Sequence, residues 1–154
     1  MSDQNSVDQE SFIKRACELA REAGKRGDGP YGSVLVIDDE IVMEASNHEN
    51  TSGDLSKHAE LTLARRAQEE LEPKVAEEAV LYTSTEPCPM CSTGIMYANL
   101  NAVVFSVSGQ RASELRGGNT TGIPCNEIFN RFNTDIDVYG PVLEKEGIAV
   151  HEEF

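Results

Sequence analysis

Two short stretches decide how this chain is read: Lys57-His58-Ala59-Glu60 and Glu86-Pro87-Cys88-Pro89-Met90-Cys91. Together they offer one imidazole and two thiols, His58, Cys88 and Cys91, and a carboxylate, Glu60, that need not be a ligand. Thiolates combined with imidazole select zinc over magnesium or calcium, which prefer shells of oxygen. Three protein ligands leave the fourth tetrahedral position to water, the layout of a catalytic centre rather than a closed structural one. A closed centre would need a fourth ligand. Cys125 is the candidate, although it reads more simply as a core residue of its own helix.

Each half of the motif falls where a strand pattern passes into a helix pattern. Ser33–Ile37 and Ile41–Ala45, joined by Asp38-Asp39-Glu40, predict the two strands of a hairpin. The polar stretch Asn47–Lys57 leads to a helix over His58–Leu71, with Leu61, Ala64, Ala67, Gln68 and Leu71 tracing one face. Val80–Thr83 predicts a third strand, the cysteines open a helix turning Cys91, Ile95 and Ala98 inward, and Ala102–Val107 predicts a fourth strand. Ahead of these, Ser6 to Gln9 has the form of a capping box, and Phe12, Ala16, Leu19, Ala20 and Ala23 recur at helical spacing. Beyond them, the Gly-, Ser- and Thr-rich residues 108–123 predict a loop. Pro124 opens a short helix with Cys125, Ile128, Phe129 and Phe132 on one side, Ile136–Tyr139 predicts a fifth strand, and Pro141 opens a last helix. Alternating helices and strands predict an α/β domain of three layers, α/β/α, around a sheet of about five strands, with all 154 residues in one domain.

The spacing within the motif suits the chemistry. Cys88 and Cys91 are three residues apart, so one helical turn presents both sulfurs on one side. The positive end of a helix and a bound metal both favour thiolate over thiol. Pro89 fits a first-turn position, where no amide donor is missed. His58 and Glu60, two apart, can both reach past the end of a helix only if they lie in its first turn.

Composition narrows the partners. Thirteen basic residues against 27 acidic ones give a net charge of −14 and a pI near 4.5. Such a surface repels nucleic acid phosphates, whose binding rests on Lys and Arg. It suits a small-molecule substrate, or a protein that stays soluble in a high-salt cytoplasm. The residues from Met1 to Glu10 lack the basic and apolar regions of a secretory signal, and no apolar run reaches the length of a membrane span. Four cysteines, two of them in the motif, suit a reducing compartment, so the expected location is cytoplasmic.

The two stretches, extended to Thr85–Cys91 and joined by Pro30-Tyr31-Gly32-Ser33-Val34, resemble the cytidine deaminase-like superfamily, in the branch of guanine deaminases and tRNA adenosine deaminases. The likeness runs over about residues 29–107, leaving 108–154 as a C-terminal extension. It implies a mixed five-stranded sheet with its fourth and fifth strands parallel, a homodimer, and zinc-dependent hydrolytic deamination. In that chemistry zinc hydroxide attacks the amine-bearing carbon while Glu60 carries the proton to the ring nitrogen and the leaving amine. The resemblance further implies that Asn47 hydrogen-bonds the base and that Ala59 adds a backbone contact. Tyr31 stands where guanine deaminases carry an aromatic that can stack on a free base. The competing readings are a turn former after the second strand for Asn47 and ordinary packing for Tyr31.

The basic C-terminal helix of the tRNA enzymes is missing: Val142–Phe154 holds one Lys, no Arg, and the acids Glu144, Glu146, Glu152 and Glu153. The expected substrate is therefore a free nucleobase, a nucleoside or a related amino-heterocycle. The alternatives are a tRNA wobble adenosine and a non-catalytic zinc-bearing scaffold. Glu86 is expected to hold backbone near the metal, His48 to be solvated, and His151 to approach the site only if the tail folds over it. Phe154 is a candidate lid reaching a partner subunit.

Overall fold

The computed structural model describes residues 2–118 and 122–154. Helix α1 (Ser2–Arg26) precedes the hairpin of β1 (Gly32–Ile37) and β2 (Glu40–Ser46). The one-turn helix α2 (Glu49–Ser52), then α3 (Ala59–Glu70) and a second one-turn helix α4 (Pro73–Ala76), lead to β3 (Val80–Thr85). After it come α5 (Pro89–Tyr97), β4 (Ala102–Val107), α6 (Gly109–Leu115), α7 (Cys125–Arg131), β5 (Asp137–Tyr139) and α8 (Glu144–Glu153).

The strands form one mixed sheet in the order β2-β1-β3-β4-β5. β1 is antiparallel to both β2 and β3, whereas β3–β4 and β4–β5 are parallel. Asp38 and Asp39 both adopt positive φ, 51° and 61°, the backbone that a tight two-residue hairpin turn demands. Side chains alternate across the sheet. Val34, Val36, Tyr82 and Val104 pack with Phe12, Ile13, Cys17 and Ala20 of α1 and Val150 of α8. Leu35, Leu81 and Val103 pack on the other face with Leu63 and Ala67 of α3, Ile95 of α5 and Phe129 of α7. The three layers expected from the alternation of elements are thus present, and the central strands are apolar along their length because both faces are covered. Gly147 lets α8 lie close on β4, since a Cβ there would collide with Val107 and Ser106. No described helix is long and apolar enough to cross a membrane.

Several local expectations are corrected. Helix α1 already begins at Ser2, ahead of the capping box expected at Ser6, whose side chain lies outside the described residues. Gln68 is exposed, and Leu63 takes the inward place on α3. The polar loop after β2 contains α2. The stretch expected as a loop over 108–123 holds α6: the Ser108 hydroxyl accepts the Arg111 amide at 3.1 Å, so the serine is a helix cap rather than a loop residue. Phe132 is 58% exposed, because α7 ends one residue before it. Pro141 does not open the last helix. The Val142 amide donates to the Phe105 carbonyl at 3.0 Å and the Ser106 hydroxyl to the Leu143 carbonyl at 2.9 Å, which keeps the chain extended beside β4 until Glu144. Phe154 does not reach away as a lid; its ring lies against Gly24 of the same chain.

Candidate metal centre and the cavity around it

His58 is the N-cap residue of α3 and Cys88 that of α5, with Pro89 in the first turn of α5. Two helix N-termini thereby face one another at the carboxyl end of β3. The His58 Nδ1 lies 3.6 Å from Cys88 Sγ and 3.5 Å from Cys91 Sγ, and the three ligand atoms all fall within 4.8 Å of one another. A tetrahedral zinc with ordinary bond lengths spaces its nitrogen and sulfur ligands by about 3.5 Å. The donor set and its separations fit zinc. Cys125 is not part of this group: it is buried in the core beside Phe129, so among the described residues no fourth protein ligand closes the centre.

The two thiols are pushed in opposite directions by their contact. The hydrogen bond from Cys91, helped by the His58 ring, outweighs burial and holds the Cys88 thiol down to about 4. The same bond, together with burial, pushes Cys91 up. Contact with Cys88 raises His58 to about 9 against the opposing effect of burial. Filling such a centre with a metal displaces these protons.

Glu60 sits in the first turn of α3, 5% exposed, and burial raises its carboxyl to about 7. Its carboxylate faces a cavity of about 830 Å³ that also exposes His58, Cys88, Asn47 and Tyr31. Five of the seven residues singled out from the sequence therefore line one space. Cys91 and Ala59 are fully buried behind it, the latter as the first residue of α3.

Asn47 is buried, and its Oδ1 accepts the Glu49 amide at 2.8 Å. It is a turn former and a cavity residue at once. The Arg26 guanidinium donates to the Asn47 carbonyl at 2.6 Å and to Asp28 at 2.7 Å, and Asp28 in turn accepts the amide and hydroxyl of Thr51 at 2.8 and 2.9 Å. The Tyr31 ring lies over Gly29, where a Cβ would come within 2.8 Å of it.

Four further residues complete the site: Glu86 and His151, which the sequence already pointed to, and Glu49 and Arg116, which it did not. His151 of α8 stands behind Tyr31, ring centroids 5.6 Å apart and edge-on, with its Nε2 2.8 Å from Thr85 Oγ1. Burial lowers its pKa to about 4, and its Nδ1 has no partner. The tail does fold over the site, from behind the cavity wall. Glu86 accepts the Gly109 amide at 3.0 Å and the Cys125 amide at 2.8 Å, tying the first turns of α6 and α7 to the end of β3. Glu49 touches His58: its Oε1 is 2.9 Å from Nε2. Arg116 lines the cavity from the end of α6. Glu86 holds backbone near the metal group as expected, and His151 nears the site because the tail folds over it; nothing in spacing or periodicity marks Glu49 or Arg116.

Residues 6–107 match the family described as the cytidine and deoxycytidylate deaminase zinc-binding region. The chain is 40% identical over 109 residues to a guanine deaminase of Bacillus subtilis (strain 168), covering 70% of each protein. It is 35% identical over 138 residues to a tRNA-specific adenosine deaminase of the same organism, covering 89% of this chain and 82% of that one. A solved structure from a study of A-to-I editing by tRNA:A34 deaminases at the wobble position of transfer RNA superposes with a TM-score of 0.73. It is 28% identical, over 91% of this chain and 98% of the other.

Proposed function

This chain belongs to the cytidine and deoxycytidylate deaminase zinc-binding family, and from that premise we propose that it hydrolyses the exocyclic amine of a free nucleobase, a nucleoside or a related amino-heterocycle. The observation that carries the proposal is the convergence of His58, Cys88, Glu60, Asn47 and Tyr31 on one cavity, with no fourth protein ligand closing the metal group among the described residues.

His58, Cys88 and Cys91 would hold zinc, whose Lewis acidity makes water nucleophilic near neutral pH. Glu60 takes one proton of the attacking water to the ring nitrogen and carries the second, from the hydroxyl of the addition product, to the departing amine. A carbon–oxygen bond forms, the carbon–nitrogen bond breaks, and ammonia leaves. Asn47, its Oδ1 engaged by the Glu49 amide, turns its amide N–H groups to acceptors on the ring. Tyr31 supplies an apolar wall for the ring face, and Ala59 a backbone contact at the start of α3.

The surface supports a small substrate. The net charge is −14, and α8 carries four glutamates and a single lysine. A second reading, deamination of an adenosine within tRNA, is favoured by the likeness to tRNA-specific adenosine deaminases over nine-tenths of the chain. A homodimer in the cytoplasm is the proposed setting, with two of the four cysteines in the metal group.

Ammonia release by zinc-loaded protein separates these readings. The panel is guanine, isoguanine, adenine, cytosine, their nucleosides and ammeline, each at low and at molar salt. The expected result is release from at least one compound, reduced about 10²- to 10⁴-fold or more in Glu60→Ala. Silence across the panel, with inosine formed in an anticodon stem-loop, overturns the small-molecule reading in favour of tRNA. Equal behaviour of wild type and Glu60→Ala in every assay supports the scaffold.

A further inference from the structure

The cavity contains a carboxylate that the deamination chemistry does not use. Glu49 opens the one-turn helix α2, and its Oε1 lies 2.9 Å from His58 Nε2. The other ring nitrogen, Nδ1, faces the two sulfurs at 3.5 and 3.6 Å. Once Nδ1 gives its lone pair to a metal, the remaining ring proton sits on Nε2, and an ionised carboxylate can only accept it. With a metal on Nδ1, the Glu49 contact fits the Nε2-protonated tautomer alone.

The carboxylate is not held by its own side chain only. Its backbone amide donates to Asn47 Oδ1, the same turn is pinned by Thr51 to the buried Asp28, and the His48 amide and carbonyl are taken by Lys57 and Ser52. Helix α2 is thus a fixed bracket between the end of β2 and the start of α3.

We propose that Glu49 is the positioning residue of the metal centre: it fixes the tautomer and ring orientation of His58, and through α2 it couples that alignment to Asn47 on the cavity wall. The inference rests on His58 serving as a zinc ligand. Carboxylate partners of this kind orient a ligating imidazole and raise its basicity, and their loss weakens metal binding by about 10- to 100-fold. Glu49 itself is 43% exposed at the side chain, so replacing it opens no core.

The test is zinc affinity by competition with a chromophoric chelator, on the full chain, for wild type, E49A and E49Q. Long-range proton–nitrogen NMR correlations of the His58 ring in the zinc-loaded forms accompany it. The expected outcome is an affinity about 10- to 100-fold weaker in E49A, partly recovered in E49Q, which keeps an acceptor oxygen at the same reach. The wild-type ring should show Nδ1 without a proton and a slowly exchanging proton on Nε2 whose protection from exchange is lost in E49A. Equal affinities and unchanged ring signals across the three forms overturn the role of Glu49 while leaving the zinc centre standing. A wild type that takes up no zinc overturns both, and neither readout depends on knowing the substrate.

Discussion

At the scale of single residues, the site is specified by what each atom has left to offer after its structural bonds are made. Asn47 spends its side-chain oxygen on the Glu49 amide and has its side-chain N–H groups left; each oxygen of the Glu86 carboxylate already accepts a backbone amide. Gly29 shows how little room remains. An alanine there would place its Cβ 2.8 Å from Cε2 of the Tyr31 ring, so the ring must swing into the cavity or away from His151. Gly29→Ala should raise KM several-fold to about tenfold, with zinc affinity unchanged, if Tyr31 walls the substrate; about 1.4 kcal/mol of lost binding is a tenfold effect. Steady-state kinetics on the best substrate together with chelator competition check it. The candidate ligands and Glu60 were legible in the sequence because their spacing carries meaning of its own: three apart across one helical turn, two apart across a helix start. Glu49 was not, because its contact with His58 closes a nine-residue loop whose shape no local pattern encodes.

At the scale of elements, the centre exists because two helices start facing each other, and their packing keeps them there. α3 and α5 meet through Leu63, Ala64 and Ala67 on one side and Ile95 on the other, with Leu61 lying where a side chain on Gly94 would stand. Leu63 is fully buried. Leu63→Ala should cost about 2–5 kcal/mol of folding stability by cavity formation. Chemical denaturation of the zinc-free protein measures it, and a loss well below this range would mean that the layer collapses to fill the gap. Periodicity located α3 and its ends, but Gln68 was placed inward where Leu63 belongs. Binary pattern gives a face to within about one residue, and the partner surface chooses between neighbours. The same limit explains α6. A stretch rich in Gly and Ser reads as loop, yet Ser108 caps a helix whose first amide is taken by Glu86, a residue 23 positions back, just past the end of β3.

At the scale of the whole molecule, the C-terminal helix completes the site from behind. His151, buried and with its pKa lowered to about 4, is neutral in the folded chain wherever an exposed histidine would begin to charge near 6.5. Between these values the unfolded chain binds the proton and the folded one does not, so stability rises with pH. The contribution of His151 is therefore complete above about 6.5 and drains away as pH falls toward 4. Thermal melting from pH 7 to pH 4 should show this decline, and His151→Gln should flatten that segment of the curve. A variant whose curve runs parallel to the wild type would show that other groups set the acid limit.

Sequence alone determined the metal chemistry, the carboxylate beside it, the five strands and the layered α/β plan, because each is written in spacing and period over a few residues. Tertiary structure decided the rest. It joined Glu49 to His58, tied Glu86 to the first turns of α6 and α7, brought His151 behind Tyr31, and turned Phe154 back onto Gly24. These contacts lie between residues far apart in the chain, and their geometry is fixed only when the sheet and both helical layers close around them.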